Sequence, residues 1–289
     1  MKLSLIFEYL VAKIVNYKGG KVEERSYPDG LKLSTFEFQG EGVHQPLICV
    51  HGLGSSAASY ARFMNDAKSN FKRVVAASLP GHGLSPTLIT INNPDQIYQI
   101  WEKFLLTESE SEPICLLGNS LGGAVALRFT LHHPNRVAAL ILISPAGAPM
   151  NSTEIEHLRA TFNMQSLFAG HRFMKQLYHS PPQMAWLIGF LIRENLKRDA
   201  VQQLLEKVQP EDGLSPEQLS HLKVPTLFIW GDRERILPTS SLEYYQSYLP
   251  SATQFVHPKS FSHSPHIEEP QAVLSYLKEW LQKFKCDER

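Results

Sequence analysis

The sequence lacks an excess of charge of either sign. Its 289 residues include 28 Lys and Arg and 28 Asp and Glu, so the formal net charge at pH 7 is zero. This balance argues against a protein that binds nucleic acid through bulk electrostatics. Extended disorder is also excluded, because 43% of the residues are hydrophobic and can form a substantial core. The length suits one large domain with room for an inserted subdomain.

Cysteine is scarce as well. The three cysteines, Cys49, Cys115 and Cys286, are an odd number without the spacing of a metal site. Cys49 and Cys115 lie inside apolar, strand-like segments, so we predict that both are buried free thiols. This pattern favours a reducing, cytoplasmic location.

Long apolar runs are also missing. Residues 1–20 are rich in apolar side chains, but Glu8 and Lys13 interrupt them and no small-residue cleavage site follows, so a signal peptide is not expected. The uninterrupted stretch is far below the roughly 20 residues of a membrane-spanning helix, so no stable membrane span is expected either. We predict an amphipathic helix that packs on the body through one apolar stripe, with peripheral membrane contact as the alternative. The stripe consists of Leu3, Phe7, Leu10 and Ile14.

Short β-rich segments alternate with helical ones, which is typical of a mostly parallel sheet covered by helices on both faces. Residues 149–215 are different, since they are helical, rich in Met and aromatic side chains, and without a convincing strand. This segment is too long for a simple connection. We therefore predict a core formed by residues 1–148 and 216–289, with residues 149–215 inserted as a helical cap over the carboxyl edge of the sheet.

The segment Gly118-Asn119-Ser120-Leu121-Gly122 matches the pattern G-x-S-x-G. An apolar strand ends at this motif and a helix begins at Leu121, which is the context that the pattern needs for a nucleophilic serine. So sharp a turn forces Ser120 into a sparsely populated backbone conformation. Gly118 and Gly122 are expected because side chains there would collide as the strand and helix converge. An ordinary helix cap by Ser120 is the alternative.

Five short motifs follow one another in a characteristic order. They are His51-Gly52-Leu53-Gly54, Leu79-Pro80-Gly81-His82-Gly83-Leu84-Ser85, Gly118 to Gly123, Gly231 to Glu234 and Ser262-His263-Ser264-Pro265-His266. They resemble the oxyanion loop, the turn after the fourth strand, the nucleophile elbow, the acid loop and the histidine loop of the α/β-hydrolase superfamily. Nearly the whole chain is covered, and the resemblance is greatest to cap-bearing carboxylesterases and to carbon–carbon bond (meta-cleavage product) hydrolases. It implies an α/β-hydrolase fold: a mostly parallel eight-stranded sheet with helices on both faces and an inserted helical cap.

The resemblance also implies a catalytic triad, with Ser120 as nucleophile, His263 as base and Glu234 as acid. The family usually has glycine before the catalytic histidine, whereas this chain has Ser262. Asp232 is the alternative acid, and exposed ion pairs with the neighbouring arginines are the alternative fate of Glu234. His266 is the rival base, although the family often places a histidine for packing there.

An oxyanion hole formed by the backbone N–H groups of Leu53 and Leu121 is implied in the same way. His51 and His82 are interpreted as structural: the ring of His51 shapes its loop by hydrogen bonding, and His82 stabilises a turn.

These residues predict a serine hydrolase that cleaves carboxylic esters of apolar acyl or aromatic substrates, without a metal or organic cofactor. Apolar side chains of the predicted cap divide between its own core and an apolar pocket. They are Met164, Leu167, Phe168, Phe173, Met174, Leu177, Met184, Trp186, Phe190 and Leu191. A carbon–carbon hydrolase is an alternative, with Arg172 as a candidate for binding a dienoate. A haloperoxidase-like side reaction and a non-catalytic ligand-binding protein also stay open.

Overall fold

The computed structural model describes residues 2–86, 93–180 and 184–287. Within these ranges eight strands form one sheet: β1 (Lys21–Ser26), β2 (Lys32–Gln39), β3 (Leu47–Val50), β4 (Arg73–Ala77), β5 (Ile114–Asn119), β6 (Val137–Ile143), β7 (Thr226–Ile229) and β8 (Gln254–Val256). Their order across the sheet is β1-β2-β4-β3-β5-β6-β7-β8. Strand β2 is antiparallel to β1 and β4, and the six strands β3 to β8 are parallel to one another. The predicted sheet is confirmed.

Twelve helices accompany the sheet in the described part of the chain. They are α1 (Leu3–Tyr17), α2 (Ala61–Ala67), α3 (Pro94–Glu108), α4 (Leu121–His132), α5 (Ser152–Thr161), α6 (Ala169–Leu177), α7 (Ala185–Leu196), α8 (Asp199–Lys207), α9 (Pro216–Ser220), α10 (Thr239–Tyr248), α11 (Pro265–Glu268) and α12 (Pro270–Asp287).

The sheet has a buried core on each face, because successive side chains of a strand point to opposite sides. In β3, Ile48 belongs to the core that includes Phe104 of α3 and residues of α4 and α10. The adjacent Leu47 belongs to the core that includes Phe63 of α2 and residues of α1 and α12. Cys49 is buried in this second core as a free thiol, as predicted, and so is Cys115. The side chain of Cys286 lies outside the described residues.

The chain between β6 and β7 forms helices α5 to α9 and no strand in its described residues. A separate apolar cluster holds α5, α6, α7 and α8 together, with the rings of Phe162 and Phe173 4.9 Å apart. Ile236, from the loop after β7, is buried in the same cluster, and Leu53 packs against it. The helices of residues 149–215 therefore contact loops at the carboxyl edge of the sheet.

The predicted orientation of α1 is wrong. Its apolar stripe does not pack on the body, since Leu3 and Phe7 are 40% and 47% exposed and Leu10 and Ile14 are each 54% exposed. The buried side instead consists of Ser4, Glu8, Ala12 and Val15. Among the described residues no helix combines the length and the apolar character that crossing a membrane requires.

Candidate active site

Ser120 lies in the turn between β5 and α4, where its backbone has φ 55° and ψ −122°. A positive φ is uncommon for a residue with a side chain and costs on the order of 1–3 kcal/mol, so the predicted strain is present. The two glycines permit the turn. A Cβ on Gly118 would lie 2.2 Å from the carbonyl oxygen of Gly122, and one on Gly122 would lie 2.1 Å from that of Val50. Ser120 is thus held at the amino end of α4, above the sheet.

His263 and Glu234 are joined by a hydrogen bond. The Nδ1–H of His263 donates to Oε2 of Glu234 over 2.8 Å, and their side chains are 5% and 3% exposed. The other carboxylate oxygen, Oε1, accepts from the backbone N–H groups of Ile236 and Leu237 over 2.7 and 3.1 Å. Both oxygens of Glu234 therefore have fixed partners, and the ring of His263 is held with Nδ1 towards the acid.

The pKa of the Glu234 carboxyl is lowered by this arrangement. Burial by itself raises the pKa of a carboxyl group, but the charge and hydrogen bond of His263 and the N–H of Ile236 outweigh it. Glu234 is therefore ionised at neutral pH, as required of a group that orients an imidazole and stabilises its protonated form.

The structure brings Glu234, and not Asp232, to the histidine. Asp232 is exposed, and its backbone N–H donates to the carbonyl of Pro258, while the N–H of Arg233 donates to that of Phe261 over 3.0 Å. These two bonds join the acid loop to the segment that precedes His263. Because the Glu234 carboxylate is buried against His263, it does not form the exposed ion pairs considered as its alternative.

Ser120 and His263 line the same cavity. A connection between their loops comes from Asn119, whose side-chain amide donates to the carbonyl of His263 over 2.8 Å. No role for Asn119 is predicted from the sequence, although it occupies the first variable position of the G-x-S-x-G motif. Ser262, which stands where the family usually has glycine, donates its hydroxyl to the Glu268 carboxylate. The serine at this position therefore makes a hydrogen bond that a glycine, which has no side chain, could not make.

The oxyanion-loop residues approach the serine from the other side. A Cβ on Gly52 would lie 3.2 Å from the Cβ of Ser120, and Leu53 lines the cavities around the serine. Leu121 is the first residue of α4, so its N–H has no partner within that helix. Both backbone groups named from the sequence therefore belong to segments that adjoin Ser120.

His51 and His82, the histidines of the first two motifs, make hydrogen bonds within their loops, as expected of structural residues. The Nδ1–H of His51 donates to the carbonyl of Gly52 over 2.8 Å, and its Nε2 accepts from the N–H of Leu79 over 3.2 Å. His82 donates from Nδ1 to the carbonyl of Pro80 over 3.2 Å. Burial lowers the pKa of His51 to about 3 and that of His82 to about 4. Both rings are therefore neutral at ordinary pH.

His266, the rival base, serves packing. Its ring stacks on that of Tyr60 at a centroid distance of 4.3 Å. Burial, followed by the nearby His263, lowers the pKa of His266 to about 3.

No group of three or more His, Cys, Asp or Glu side chains in the described ranges is arranged to hold a metal ion.

Two cavities meet at Ser120. The first has a volume of about 300 Å³ and extends between α4 and α8, with Val125, Leu204 and Leu237 among its lining residues. The second, of about 520 Å³, contains both Ser120 and His263 and extends between α1 and α7, where Val11, Leu191 and Ile192 line it. Their walls are mostly apolar. Glu8 lines the second cavity and Arg128 lines the first. Neither residue belongs to a motif, so neither could be predicted from the sequence.

The predicted use of the apolar side chains in residues 149–215 is partly wrong. Of the ten apolar residues predicted to form the core of the cap or an apolar pocket, Met164, Phe173, Met174 and Leu191 are buried. Five others are neither buried in a core nor part of a cavity wall. Leu167, Phe168, Met184, Trp186 and Phe190 are between 46% and 80% exposed. Arg172 is exposed as well and lines neither cavity, so the structure does not bring this candidate cation to the site.

Residues 45–164 match the sequence profile of a family described as alpha/beta hydrolase fold. The chain is 28% identical over 274 residues to the dihydrolipoyllysine-residue acetyltransferase component of an acetoin cleaving system from Pseudomonas putida, covering 91% of this chain and 70% of that one. It is 25% identical to a 2-hydroxy-6-oxononadienedioate/2-hydroxy-6-oxononatrienedioate hydrolase from Paraburkholderia phymatum, covering 80% and 82%. It is 24% identical to a pimeloyl-[acyl-carrier protein] methyl ester esterase from Vibrio vulnificus, covering 83% and 95%.

Solved structures agree in fold. A bacterial membrane phospholipase A superposes with a TM-score of 0.81 at 22% identity, covering 98% of this chain and 93% of that one. A carboxylesterase from Bacillus subtilis gives a TM-score of 0.75 at 20% identity, covering 96% and 98%. With the sheet order and the serine turn described above, these similarities show that the chain has the α/β-hydrolase fold.

Proposed function

We propose that the chain is a serine hydrolase that cleaves carboxylic esters of apolar acyl or aromatic groups. The observation that carries the proposal is the buried hydrogen bond between His263 and Glu234, beside a cavity that both His263 and the strained Ser120 line. An imidazole oriented by an ionised acid, next to a serine hydroxyl on a tight turn, is the arrangement that activates a serine.

In the proposed cycle, the Ser120 hydroxyl gives its proton to Nε2 of His263 as Oγ attacks the ester carbonyl carbon. The N–H groups of Leu53 and Leu121 donate hydrogen bonds to the oxyanion, and each increases the rate of the reaction by a factor of roughly 10²–10³. The tetrahedral intermediate expels the alcohol, which takes the proton from His263. Water then attacks the acyl-enzyme with His263 as base, and release of the carboxylic acid restores Ser120.

The two cavities support an ester with apolar groups on both sides of the scissile bond. Residues 149–215, which we propose act as a cap, supply walls to each cavity: Leu204 and Leu205 to the first, Phe173 and Leu191 to the second. Burial of a CH₂ group contributes about 0.8 kcal/mol, so an acyl chain gains affinity as it lengthens into such a wall.

A fluorophosphonate probe tests the serine mechanism directly. The intact protein is expected to gain the mass of one probe, and Ser120→Ala is expected to gain none. Labelling of Ser120→Ala, or no labelling of the wild type, would contradict the mechanism; the second result would favour a non-catalytic ligand-binding protein.

A parallel assay separates ester hydrolysis from carbon–carbon cleavage, the alternative that the resemblance to meta-cleavage product hydrolases leaves open. Arg128 lines the first cavity, but its guanidinium is paired with Asp95 at 2.7 Å and lies over the ring of Tyr98. Because this cation is already engaged, we expect turnover of p-nitrophenyl esters and little turnover of a coloured dienoate ring-fission product. Faster turnover of the dienoate would reverse the assignment.

A further inference from the structure

The solvent-facing side of α1 is apolar, which is unusual for a helix that packs on a folded body. Residues spaced by three and four positions place their side chains on one side of a helix. Here that side is formed by the α1 stripe: Leu3, Phe7, Leu10, Ile14 and, at 92% exposure, Tyr17. Contacts within the described chain leave about half or more of most of these side chains exposed to solvent.

The opposite side of α1 is firmly attached. Glu8 is buried and accepts a hydrogen bond from the Ser56 hydroxyl over 2.6 Å. At the start of the helix, the N–H of Ser4 donates to the Glu194 carboxylate of α7 over 2.9 Å. The exposed stripe is therefore displayed by a fixed helix.

The α1 stripe borders the opening of the second cavity. Phe7 and Ile14 line that cavity together with Ser120 and His263, and they are also 47% and 54% exposed. Side chains that are both lining and exposed mark where the cavity reaches solvent. Whatever covers the α1 stripe thus lies directly at the entrance to the site.

Charge indicates what covers it. Within residues 2–18 the exposed charged side chains are Lys2, Lys13 and Lys18, while the one acidic residue of the helix, Glu8, is buried. A helix with an apolar stripe flanked by lysines is typical of segments that lie in the headgroup region of a membrane. Anionic headgroups attract such lysines near the membrane surface.

We propose that the α1 stripe docks the protein on an anionic lipid surface, with the entrance of the second cavity facing the lipid. A second copy of the chain fits less well, because pairing two such helices would bring their lysines together and cover the entrance. Docking on lipid instead leaves an apolar path from the surface to Ser120. Binding to vesicles does not depend on the proposed ester hydrolysis, so each can fail without the other.

The test is sedimentation of the full chain with vesicles, in the Ser120→Ala background so that no lipid is consumed. Vesicles of phosphatidylcholine alone are compared with vesicles of equal parts phosphatidylglycerol and phosphatidylcholine. We expect binding to the anionic vesicles that weakens with salt, and a loss of about tenfold or more when Leu10→Glu and Tyr17→Glu are combined. Lys2→Gln with Lys13→Gln is expected to remove the preference for phosphatidylglycerol.

Tyr248→Glu is the matched control, because Tyr248 is a 43% exposed aromatic residue on α10, on the other face of the sheet. It should bind vesicles like the parent. In the active protein, the Leu10 and Tyr17 substitutions should leave hydrolysis of a soluble short-chain ester unchanged, since neither residue lines a cavity. Equal vesicle binding by parent and double variant would overturn the proposal. So would a concentration-dependent dimer, seen by light scattering, that the double variant abolishes.

Discussion

The side-chain amide of Asn119 donates hydrogen bonds to two backbone carbonyls, that of His263 over 2.8 Å and that of Ile143 over 3.0 Å. Its carbonyl oxygen accepts from the Ser264 hydroxyl over 3.3 Å. Asn119 immediately precedes Ser120. One buried side chain therefore fixes the backbone of the proposed base relative to the proposed nucleophile, which lies 143 positions before it in the sequence.

Replacing Asn119 by Ala is expected to lower kcat by about 10–100-fold while changing KM little. A displacement of about 1 Å between reacting groups can cost 10²-fold, whereas the cavity walls stay as they are. Steady-state kinetics on a p-nitrophenyl ester measures both parameters. Ser109→Ala is the control, since it removes another buried side chain-to-backbone bond, to Leu105, far from the site. An equal fall in kcat in both variants would mean that Asn119 acts only through stability.

Glu234→Gln should lower kcat by roughly 10²–10⁴-fold, because the amide can no longer hold the imidazole in its productive tautomer or stabilise its charged form. Asp232→Asn should leave kcat within about twofold, since Asp232 is exposed and away from His263. The two variants are compared by kcat under saturating ester. Greater loss in Asp232→Asn would reassign the acid.

Ser120→Gly is expected to be more stable than Ser120→Ala by about 1 kcal/mol. Alanine keeps the conformational strain of φ 55°, whereas glycine adopts a positive φ without strain. Part of the stability that glycine gains in this way is lost again, because glycine raises the entropy of the unfolded chain. Neither variant retains the hydroxyl, so both should be inactive. Urea unfolding monitored by tryptophan fluorescence gives the difference. If alanine were equally stable, the turn would not be strained in solution.

The free energy of unfolding should fall steeply as pH decreases below about 6.5. The pKa values of His51, His82 and His266 are lowered by burial to about 3, 4 and 3, from an ordinary value of 6.5. The unfolded chain therefore binds protons that the folded protein does not. The contribution of these histidines to the free energy of unfolding is fully present above pH 6.5 and is lost as the pH falls towards 3. Each histidine reduces the free energy of unfolding by up to about 1.4 kcal/mol for each pH unit. The lowered pKa of Glu234 adds a loss below about 4.5.

Urea titrations at several pH values between 7 and 4 measure this slope. His266→Phe keeps an aromatic ring against Tyr60 and should reduce the slope by the share of one histidine. His257→Gln, at an exposed position, should not change it. A slope that is unaffected by His266→Phe would mean that this ring accepts a proton in the folded protein.

The three residues of the proposed triad could be predicted from the sequence because each of them follows a strand. Ser120, Glu234 and His263 follow the carboxyl ends of β5, β7 and β8, and parallel strands bring these ends to one edge. Motifs at strand ends could therefore be assembled without coordinates. The tie from Asn119 to His263 could not, because a side-chain bond across 144 positions leaves no local pattern.

The orientation of α1 shows a different limit. Apolar spacing identifies a stripe but does not say which side of the helix meets the body. Here the backbone N–H of Ser4 donates to Glu194 and the buried Glu8 carboxylate accepts from Ser56, and both partners are distant in sequence. Composition likewise predicted an apolar segment at residues 149–215, yet Phe168 and Trp186 are 72% and 71% exposed.

Filling the first cavity tests which side of Ser120 receives the acyl chain. Leu158 of α5 lines that cavity, so Leu158→Trp should shorten it and lower kcat/KM for long-chain p-nitrophenyl esters by about tenfold, while the acetate ester is unaffected. Leu177→Trp, in the second cavity, is the matched substitution. Because the p-nitrophenyl group is constant along the series, only the cavity that holds the acyl chain can change the dependence on chain length. Loss of long-chain activity in Leu177→Trp alone would place the acyl chain in the second cavity, beside α1.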